Sequence, residues 1–356
     1  MNRRCHDLLT VLREPARMTD LPLAAWDRLL PQARAAGLLA RLAVQAADLG
    51  LTLPAAVQPH LTAARTLAER QLEAVRWEAR KLDEALAKLD VPVLLLKGAA
   101  YVLGGLPPAR GRLFADIDIL VPKAALGAVE AQLMLHGWHA VHHSDYDQRY
   151  YRQWMHELPP MTHLRRQSHL DVHHDLLPET ARRRTRPDLV IHAAQRLPGY
   201  RCLHLPCLED LVLHSATHRF HEGEWEHGLR DLSDLDALLR LGLERPGWLP
   251  VLLARARELD LALPLALALR YSRRLLATPA PPELSKDLTP AFPPWPLRDA
   301  LFLRGFGTAH ADCAPPGTRL AAFLLYVRAH WLRMPLYLLL PHLLHKAIRR
   351  DDETET

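Results

Sequence analysis

Two aspartates lie one residue apart inside an otherwise apolar run, and this pattern constrains the fold most strongly. Residues 113–121 read LFADIDILV, and the apolar residues around the acids are typical of a buried strand. Because side chains alternate between the faces of a strand, Asp116 and Asp118 share one face, whereas Ile117 and Ile119 share the other. Two ionised carboxylates this close repel each other, so a cation between them is expected. Oxygen ligands on a rigid strand suit Mg²⁺, which shares its remaining positions with waters and phosphates.

A third carboxylate is found in a second segment with the same texture. Residues 168–176 read SHLDVHHDL, in which Leu170 and Val172 flank Asp171 as they would on a half-buried strand. Three acids on adjacent strands could hold two metal ions about 3.5–4 Å apart, an arrangement used in phosphoryl and nucleotidyl transfer. An isolated Asp-x-Asp is also common at a solvated strand end, so the motif gains specificity only from its neighbours.

The segment before these acids is suited to binding phosphate. Residues 94–100 read LLLKGAA, a strand that runs into a helix with Gly98 at the junction. Backbone amides at a helix N-terminus, here those of Gly98 and Ala99, can bind phosphate, and Lys97 and Arg112 supply positive charge. The spacing of a P-loop is absent. Alternatively, Lys97 and Gly98 form an ordinary turn that binds no phosphate.

Periodicity along the chain predicts an α+β fold in which a small mixed sheet lies between two helical regions. The sequence divides into a helical N-terminal region over residues 1–90, a core over 91–180, a helical C-terminal region over 181–345 and a polar tail over 346–356. Within the core, strands alternate with helices at first. Three further strands are expected in the segments WHAVHHS, HELPPMTHLR and SHLDVHHDL.

The combination of VPVLLLKGAAY, Arg112, DIDILV and HLDVHHDL resembles nucleotidyltransferase-fold proteins of the polymerase-beta-like superfamily. It is most similar to a bacterial family of uncharacterised nucleotidyltransferases. The resemblance implies transfer of a nucleoside monophosphate from an NTP such as ATP, with release of pyrophosphate and with Mg²⁺ or Mn²⁺ as cofactor. It implies catalytic, metal-binding roles for Asp116, Asp118 and Asp171. Nucleotide-binding roles follow for Lys97, Gly98, Ala99, Arg112 and His173. Where the wider superfamily has Gly-Gly or Gly-Ser, this chain has Lys-Gly-Ala, and the distance from Gly98 to Asp116 is longer than usual.

The resemblance continues into the segment VLHSATHRFHEGEWEHGLRDLSDL, residues 212–235. It places His214, His218 and Arg230 at the nucleotide. His214, His218 and His221 also fall on one helix face, but HExxH is absent and two His alone do not make a zinc site. We therefore expect these histidines to line a polar cleft. Arg230 and the aspartates that follow it could instead be a surface salt-bridge set, and the resemblance favours a phosphate contact.

Composition excludes some partners. The chain is 49% hydrophobic and 24% charged, as in ordinary soluble domains. Its net charge of +5 comes with arginines that are scattered rather than clustered on one face. This charge pattern therefore argues against a nucleic-acid partner.

Cysteine usage and hydropathy favour the cytoplasm. Four cysteines show no metal-binding spacing and are expected to be buried thiols in a reducing compartment: Cys5, Cys202, Cys207 and Cys313. The apolar segment over residues 320–350 is interrupted by Arg, His and Pro. It therefore predicts core-packing helices rather than a transmembrane span. Peripheral membrane contact by these helices is the alternative.

The acceptor of the transfer is not specified by the sequence and could be a small molecule or a macromolecule that offers a hydroxyl or a phosphate. Two other functions use similar features. A glycosyltransferase could hold a nucleotide sugar through Asp-x-Asp, which predicts a doubly wound series of parallel strands. A non-catalytic binding or antitoxin module of the same fold would bind NTP without turnover.

Overall fold

The computed structural model describes residues 5–140, 155–221, 223–281, 288 and 295–335. A seven-stranded mixed sheet lies between helical N-terminal and C-terminal regions, so the predicted α+β fold class is confirmed. Parts of three predictions lie outside the described residues: the polar tail, residues 336–350 of the apolar C-terminal segment, and the end of the predicted strand that includes His142 and His143.

The N-terminal region consists of helices whose apolar faces are buried. Along the longest of them, Leu61, Ala68, Val75, Ala79 and Leu82 recur at helical spacing and are all buried. This helix packs against the two helices of the core. The N-terminal helices are α1 His6–Arg13, α2 Leu23–Ala35, α3 Leu39–Asp48 and α4 Gln58–Leu86.

The sheet has the order β3-β4-β5-β2-β1-β7-β6. Only the pairs β2/β5 and β1/β7 are parallel within the described sheet, and the other four pairs are antiparallel. This is not the parallel series expected of a glycosyltransferase. The strands are β1 Val93–Leu95, β2 Asp116–Leu120, β3 Trp138–Ala140, β4 Met161–His163, β5 His169–His173, β6 Gln195–Arg196 and β7 Leu203–Leu205. The two core helices are α5 Lys97–Leu103 and α6 Leu126–Leu135.

The sheet extends beyond the predicted core boundary at residue 180. Strand β7 pairs with β1, with Val93 opposite Leu203, and β6 completes the edge. The segment assigned to a helical C-terminal region therefore contributes two strands. The division of the chain into domains otherwise stays a prediction.

The C-terminal region is helical, as expected. Its helices are α7 Pro187–Ala193, α8 Leu208–His221, α9 Gly228–Leu243, α10 Trp248–Glu258, α11 Ala262–Leu276, α12 Trp295–Gly305 and α13 Thr318–Arg333. An aromatic cluster joins α8, α11 and α12: Phe220 lies with its ring centroid 5.6 Å from Phe302 and 6.0 Å from Tyr271. In the described part of the chain, no helix combines the length and hydropathy needed to cross a bilayer.

The prediction of four thiols was wrong for two of the cysteines. Cys5 forms a disulfide with Cys313, which links the start of the N-terminal region to the C-terminal helices. Cys202 and Cys207 are free thiols, the first buried and the second half-buried. Cytoplasmic localisation stays a prediction.

A buried carboxylate connects three parts of the chain. Asp234 on α9 is 2% exposed and accepts hydrogen bonds from Arg41 on α3, at 2.6 Å, and from Arg112 before β2, at 2.7 Å. Gly111 allows this approach: its φ is +68°, and a Cβ there would lie 2.6 Å from the backbone of Ala40. The loop that carries Arg112 is thereby held against α3.

We expect Asp234→Ala to destabilise the fold by about 3–5 kcal/mol, because two buried guanidinium groups lose their shared carboxylate. The control is Glu84→Ala, which removes a surface pair with Lys81 and should cost less than about 1 kcal/mol. Urea unfolding monitored by circular dichroism measures both. Equal effects of the two substitutions would contradict a structural role for Asp234.

Candidate functional site

Parallel pairing of β2 with β5 brings the three predicted carboxylates together. The register places Asp116 opposite His169 and Asp118 opposite Asp171. Oxygen atoms of Asp116, Asp118 and Asp171 all lie within 4.8 Å of one another. Asp116 is exposed, Asp171 is half-buried and Asp118 is buried. The alternation of the sequence thus puts three acids on one face, with the apolar residues between them in the core.

The three carboxylates differ in pKa because they differ in environment. Burial, followed by the negative charge of Asp118, raises the pKa of Asp171 to about 7. The same two causes raise the pKa of Asp116, because its surroundings reduce the hydration of the carboxylate although the residue as a whole is exposed. Burial would also raise the pKa of Asp118, but Lys97 and then His173 outweigh it, and the pKa lies well below its usual value. Asp118 therefore stays ionised in the protein.

Lys97 and His173 contact Asp118 directly. The Lys97 Nζ donates a hydrogen bond to Asp118 Oδ1 at 2.9 Å, and His173 Nε2 lies 3.3 Å from the same oxygen. Lys97 is the first residue of α5 and has a φ of 40°, which is unusual for a side chain of its size. The sequence associated Lys97 with phosphate; in the structure it neutralises a carboxylate at the edge of the cavity.

Gly98 is needed for close packing. A Cβ on Gly98 would lie 2.6 Å from the Phe114 ring and 2.9 Å from the Arg112 guanidinium, so the space beside its Cα is filled by these two side chains. Ala99 is buried in the hydrophobic core and does not line a cavity beside the carboxylates. Arg112 lies 5.2 Å from the Phe114 ring centroid, and Asp234 and Asp231 keep its pKa above the usual value despite burial.

Helices α8 and α9 supply the opposite wall. Arg230 donates two hydrogen bonds to Asp231, at 3.0 and 3.1 Å, and Arg219 donates to the same carboxylate at 3.0 Å. Burial first, and then the neighbouring Lys97 and His218, hold the pKa of His214 well below its usual value, so this histidine is neutral. Arg230 is therefore oriented by a carboxylate, as the phosphate-binding interpretation expects.

Among the described residues, the three histidines of α8 are not in a group whose potential ligand atoms converge. His214 and His218 have ring centroids 6.4 Å apart, and His221 is 3.2 Å from the carbonyl oxygen of Thr217. Among described residues, potential metal ligands come together in two other groups: the three aspartates, and His156 with Glu157 and His173. The expectation that the triplet lines a polar cleft agrees with this geometry.

A cavity of about 440 Å³ collects most of the predicted residues, and a smaller one of about 100 Å³ adjoins it. Nine of the predicted residues line the first: Lys97, Arg112, Asp116, Asp118, Asp171, His173, His214, His218 and Arg230. Gly98 lines the second. Another cleft of about 520 Å³ is lined by Arg270 and Arg274 but by none of the three aspartates, so its larger size does not make it the candidate site.

The sequence missed some residues of this site. His156 and Glu157 line the cavity, and Arg41 holds Asp234 from outside it. The acidic residue in the segment HELPP was the available signal for Glu157. No local pattern in the sequence could indicate Arg41, since it lies 193 positions from its partner Asp234.

A family model described as uncharacterised nucleotidyltransferase matches residues 22–277. The chain belongs to this family. The matched residues include the whole sheet and helices α2 to α11, and hence every predicted residue of the candidate site.

Comparisons of this nucleotidyltransferase with curated proteins and with solved structures do not narrow its function further. No curated protein matches the chain significantly. Among solved structures, the chain is similar to the solution structure of the antibiotic-resistance factor ANT(2'')-Ia. The sequence identity is 17% and the TM-score is 0.33. That likeness covers 53% of this chain and 93% of the other.

We expect Gly98→Ala to destabilise this nucleotidyltransferase by about 1–3 kcal/mol, because the added methyl overlaps Phe114 and Arg112. Gly127→Ala is the matched control, since a Cβ there meets nothing within 4 Å. It should change the free energy of unfolding by less than about 1 kcal/mol. Urea unfolding compares the two. A neutral Gly98→Ala would mean that the packing beside Gly98 is loose.

Proposed function

We propose that this protein is a metal-dependent nucleotidyltransferase that moves a nucleoside monophosphate from an NTP to a hydroxyl or phosphate acceptor and releases pyrophosphate. The observation that carries the proposal is the set of three carboxylates within 4.8 Å of one another in the wall of a cavity. Arg112 and Arg230 line the same cavity, so acidic and basic groups face one space. Membership of the nucleotidyltransferase family supports the reaction class.

The donor set fits a divalent cation. Three carboxylates offer only oxygen ligands, which suits Mg²⁺ or Mn²⁺ better than a soft metal. The raised pKa values of Asp116 and Asp171 reflect burial and mutual repulsion, which a cation would relieve. We assign Asp116, Asp118 and Asp171 as the residues that would hold it. When bound, the ion would neutralise charge on the phosphates of the NTP.

Basic side chains around the carboxylates would bind and orient the triphosphate. Arg112 is held by Asp234, and Arg230 by Asp231. A guanidinium that already donates to a carboxylate is fixed in direction, and it has five N–H donors in total. We expect Arg112 and Arg230 to contact phosphate oxygens through their other donors.

Smaller roles fall to the remaining residues of the cavity wall. We expect Lys97 to contribute charge near the phosphates. His173 would keep Asp118 in place, while His214 and His218 contact the nucleotide. Gly98 and Ala99 offer only backbone groups. Such catalysis depends mainly on positioning and on charge stabilisation.

The bond changes involve a single phosphorus atom. An oxygen of the acceptor attacks the α-phosphorus of the NTP, the bond to the β-phosphate oxygen breaks, and pyrophosphate leaves. Asp171 faces the cavity beside Asp118. We expect it to accept the proton of an acceptor hydroxyl.

The first experiment is label transfer from each α-³²P-labelled NTP, with Mg²⁺ or Mn²⁺ and with cell extract as the source of acceptors. We expect transfer by the wild type, its loss in EDTA, and at least about a 100-fold loss in Asp116→Asn and Asp118→Asn, because oriented metal and phosphate contacts contribute factors of this size. The matched control is Asp188→Asn, a surface carboxylate paired with Arg186, which should retain activity.

One outcome would overturn the assignment of the carboxylates, and another would overturn the enzymatic proposal itself. Transfer that persists in both site variants would exclude the carboxylates as catalytic groups. Metal-dependent NTP binding by a folded protein without transfer to any acceptor in the extract would instead support the non-catalytic binding module.

Arg230→Gln should raise the KM for the NTP about tenfold or more with a smaller change in kcat, since its phosphate contact is made in the ground state. Arg240→Gln is the control on the same helix, because Arg240 pairs with Asp236 rather than facing the cavity. Steady-state kinetics with the NTP identified above measures both. An unchanged KM in Arg230→Gln would mean that Arg230 does not bind the phosphates of the NTP and has only a structural role.

A further inference from the structure

A second group of potential metal ligands lies in the wall of the same cavity, on the side of His173 away from Asp118. His156, Glu157 and His173 each offer one ligand atom, and these atoms lie within 4.8 Å of one another. The group contains two imidazoles and one carboxylate, whereas the aspartate site contains oxygen atoms only. None of the roles described above uses His156 or Glu157.

The backbone holds this group in register. Residues Glu157 and His173 form an antiparallel bridge. Leu158 donates its N–H to the Val172 carbonyl at 2.9 Å, and His174 donates to the His156 carbonyl at 2.8 Å. The segment that carries His156 and Glu157 is therefore fixed to the end of β5. Ligand positions set by backbone hydrogen bonds are the kind of rigid support that a metal site needs.

The two nitrogens of His173 face different carboxylates. Nε2 lies 3.3 Å from Asp118 Oδ1, and Nδ1 lies 3.2 Å from Glu157 Oε2. Tetrahedral ligands at the usual zinc distances of about 2.0–2.2 Å are separated from each other by about 3.3–3.5 Å. The separation of 3.2 Å between His173 Nδ1 and Glu157 Oε2 is close to that range.

His156 supplies the observation that points to a ligand. Its Nδ1 is buried and makes no hydrogen bond to any described residue. Its ring lies with its centroid 5.2 Å from that of His173. A buried polar atom without a partner costs free energy, and coordination of a metal ion would satisfy it.

We propose that His156, Glu157 and His173 form a second metal site, for a transition metal ion of the Zn²⁺ type, distinct from the site of the three aspartates. Two imidazoles and a carboxylate are a ligand set that zinc prefers and Mg²⁺ does not. Since all three residues line the cavity, the fourth position of the ion faces the space where substrate would bind. It would be filled by water or by an anionic oxygen of a ligand.

The proposal assigns His173 a linking role. With Nδ1 on the metal, the proton of the ring lies on Nε2, which then donates to Asp118. A metal-bound histidine commonly donates its other N–H to a carboxylate, and this contact fixes the ring and increases its basicity. The competing explanation is a metal-free one, in which a protonated His173 forms ion pairs with Asp118 and Glu157.

The test is Zn²⁺ binding by tag-free protein stripped with EDTA, measured by isothermal titration calorimetry in excess Mg²⁺ and without nucleotide. Because no nucleotide is present, the result is independent of whether the protein transfers nucleotides. We expect the wild type to bind one equivalent of Zn²⁺ at this site. We expect Glu157→Gln and His156→Gln each to weaken that binding at least about tenfold.

Matched controls separate this site from others in a chain with many histidines. His169→Gln changes an exposed histidine on the same strand, and Asp116→Asn changes the aspartate site; both should bind Zn²⁺ as the wild type does. Visible absorption of the Co²⁺ form should lose intensity in His156→Gln but not in His169→Gln. Circular dichroism verifies folding, and His156→Gln decides the question if Glu157→Gln does not fold.

The proposal would be overturned by any of three results. The first is a wild-type protein that binds no Zn²⁺ in excess Mg²⁺. The second is Zn²⁺ affinity that is unchanged in a folded His156→Gln variant. The third is Zn²⁺ binding that is lost in Asp116→Asn, which would place the ion among the aspartates.

Discussion

The candidate site depends on the parallel pairing of β2 with β5, because this contact places Asp118 beside Asp171. The pairing is stabilised on the opposite side of the strands, where Ile119 and Val172 are completely buried. It also forces carboxylates into a half-buried space, where they repel each other. Lys97 compensates for one of these charges. The fold thus accepts an unfavourable concentration of acids at one place, which is common where a charged ligand binds.

A second constraint determines where the basic groups lie. Asp234 accepts hydrogen bonds from Arg41 and Arg112 in a region with almost no exposure to solvent. Removing either arginine would leave a buried charge with less compensation. Because Arg41 belongs to the N-terminal helices and Asp234 to the C-terminal ones, both flanking regions fix the direction of Arg112. The cavity is consequently a property of the whole chain rather than of the sheet alone.

Sequence reasoning succeeded where the signal was local. Alternation around Asp116 and Asp118 predicted the strand and its face, and Asp171 was recognised by the same pattern. The resemblance indicated Arg230, whose distance from these acids no periodicity could bridge. Strands β6 and β7 were both missed. Strand β6 has only two residues, which is too short for a periodic pattern, whereas β7 has three residues, as the predicted β1 does. The pairing of Cys5 with Cys313 was missed because 308 positions separate them and the spacing shows no framework.

The surroundings of the arginines do not match the surface salt-bridge set, which is one of the two interpretations that the sequence left open. A surface salt-bridge set would consist of exposed pairs that contribute little, yet Asp234 is 2% exposed and Arg219 is also buried. Asp231 accepts hydrogen bonds from Arg219 and Arg230 at once, so each guanidinium is fixed before any ligand arrives. Fixed donors lose little entropy when they bind a phosphate. Under the proposed function, the carboxylates of α9 would therefore support the arginines that bind the phosphates.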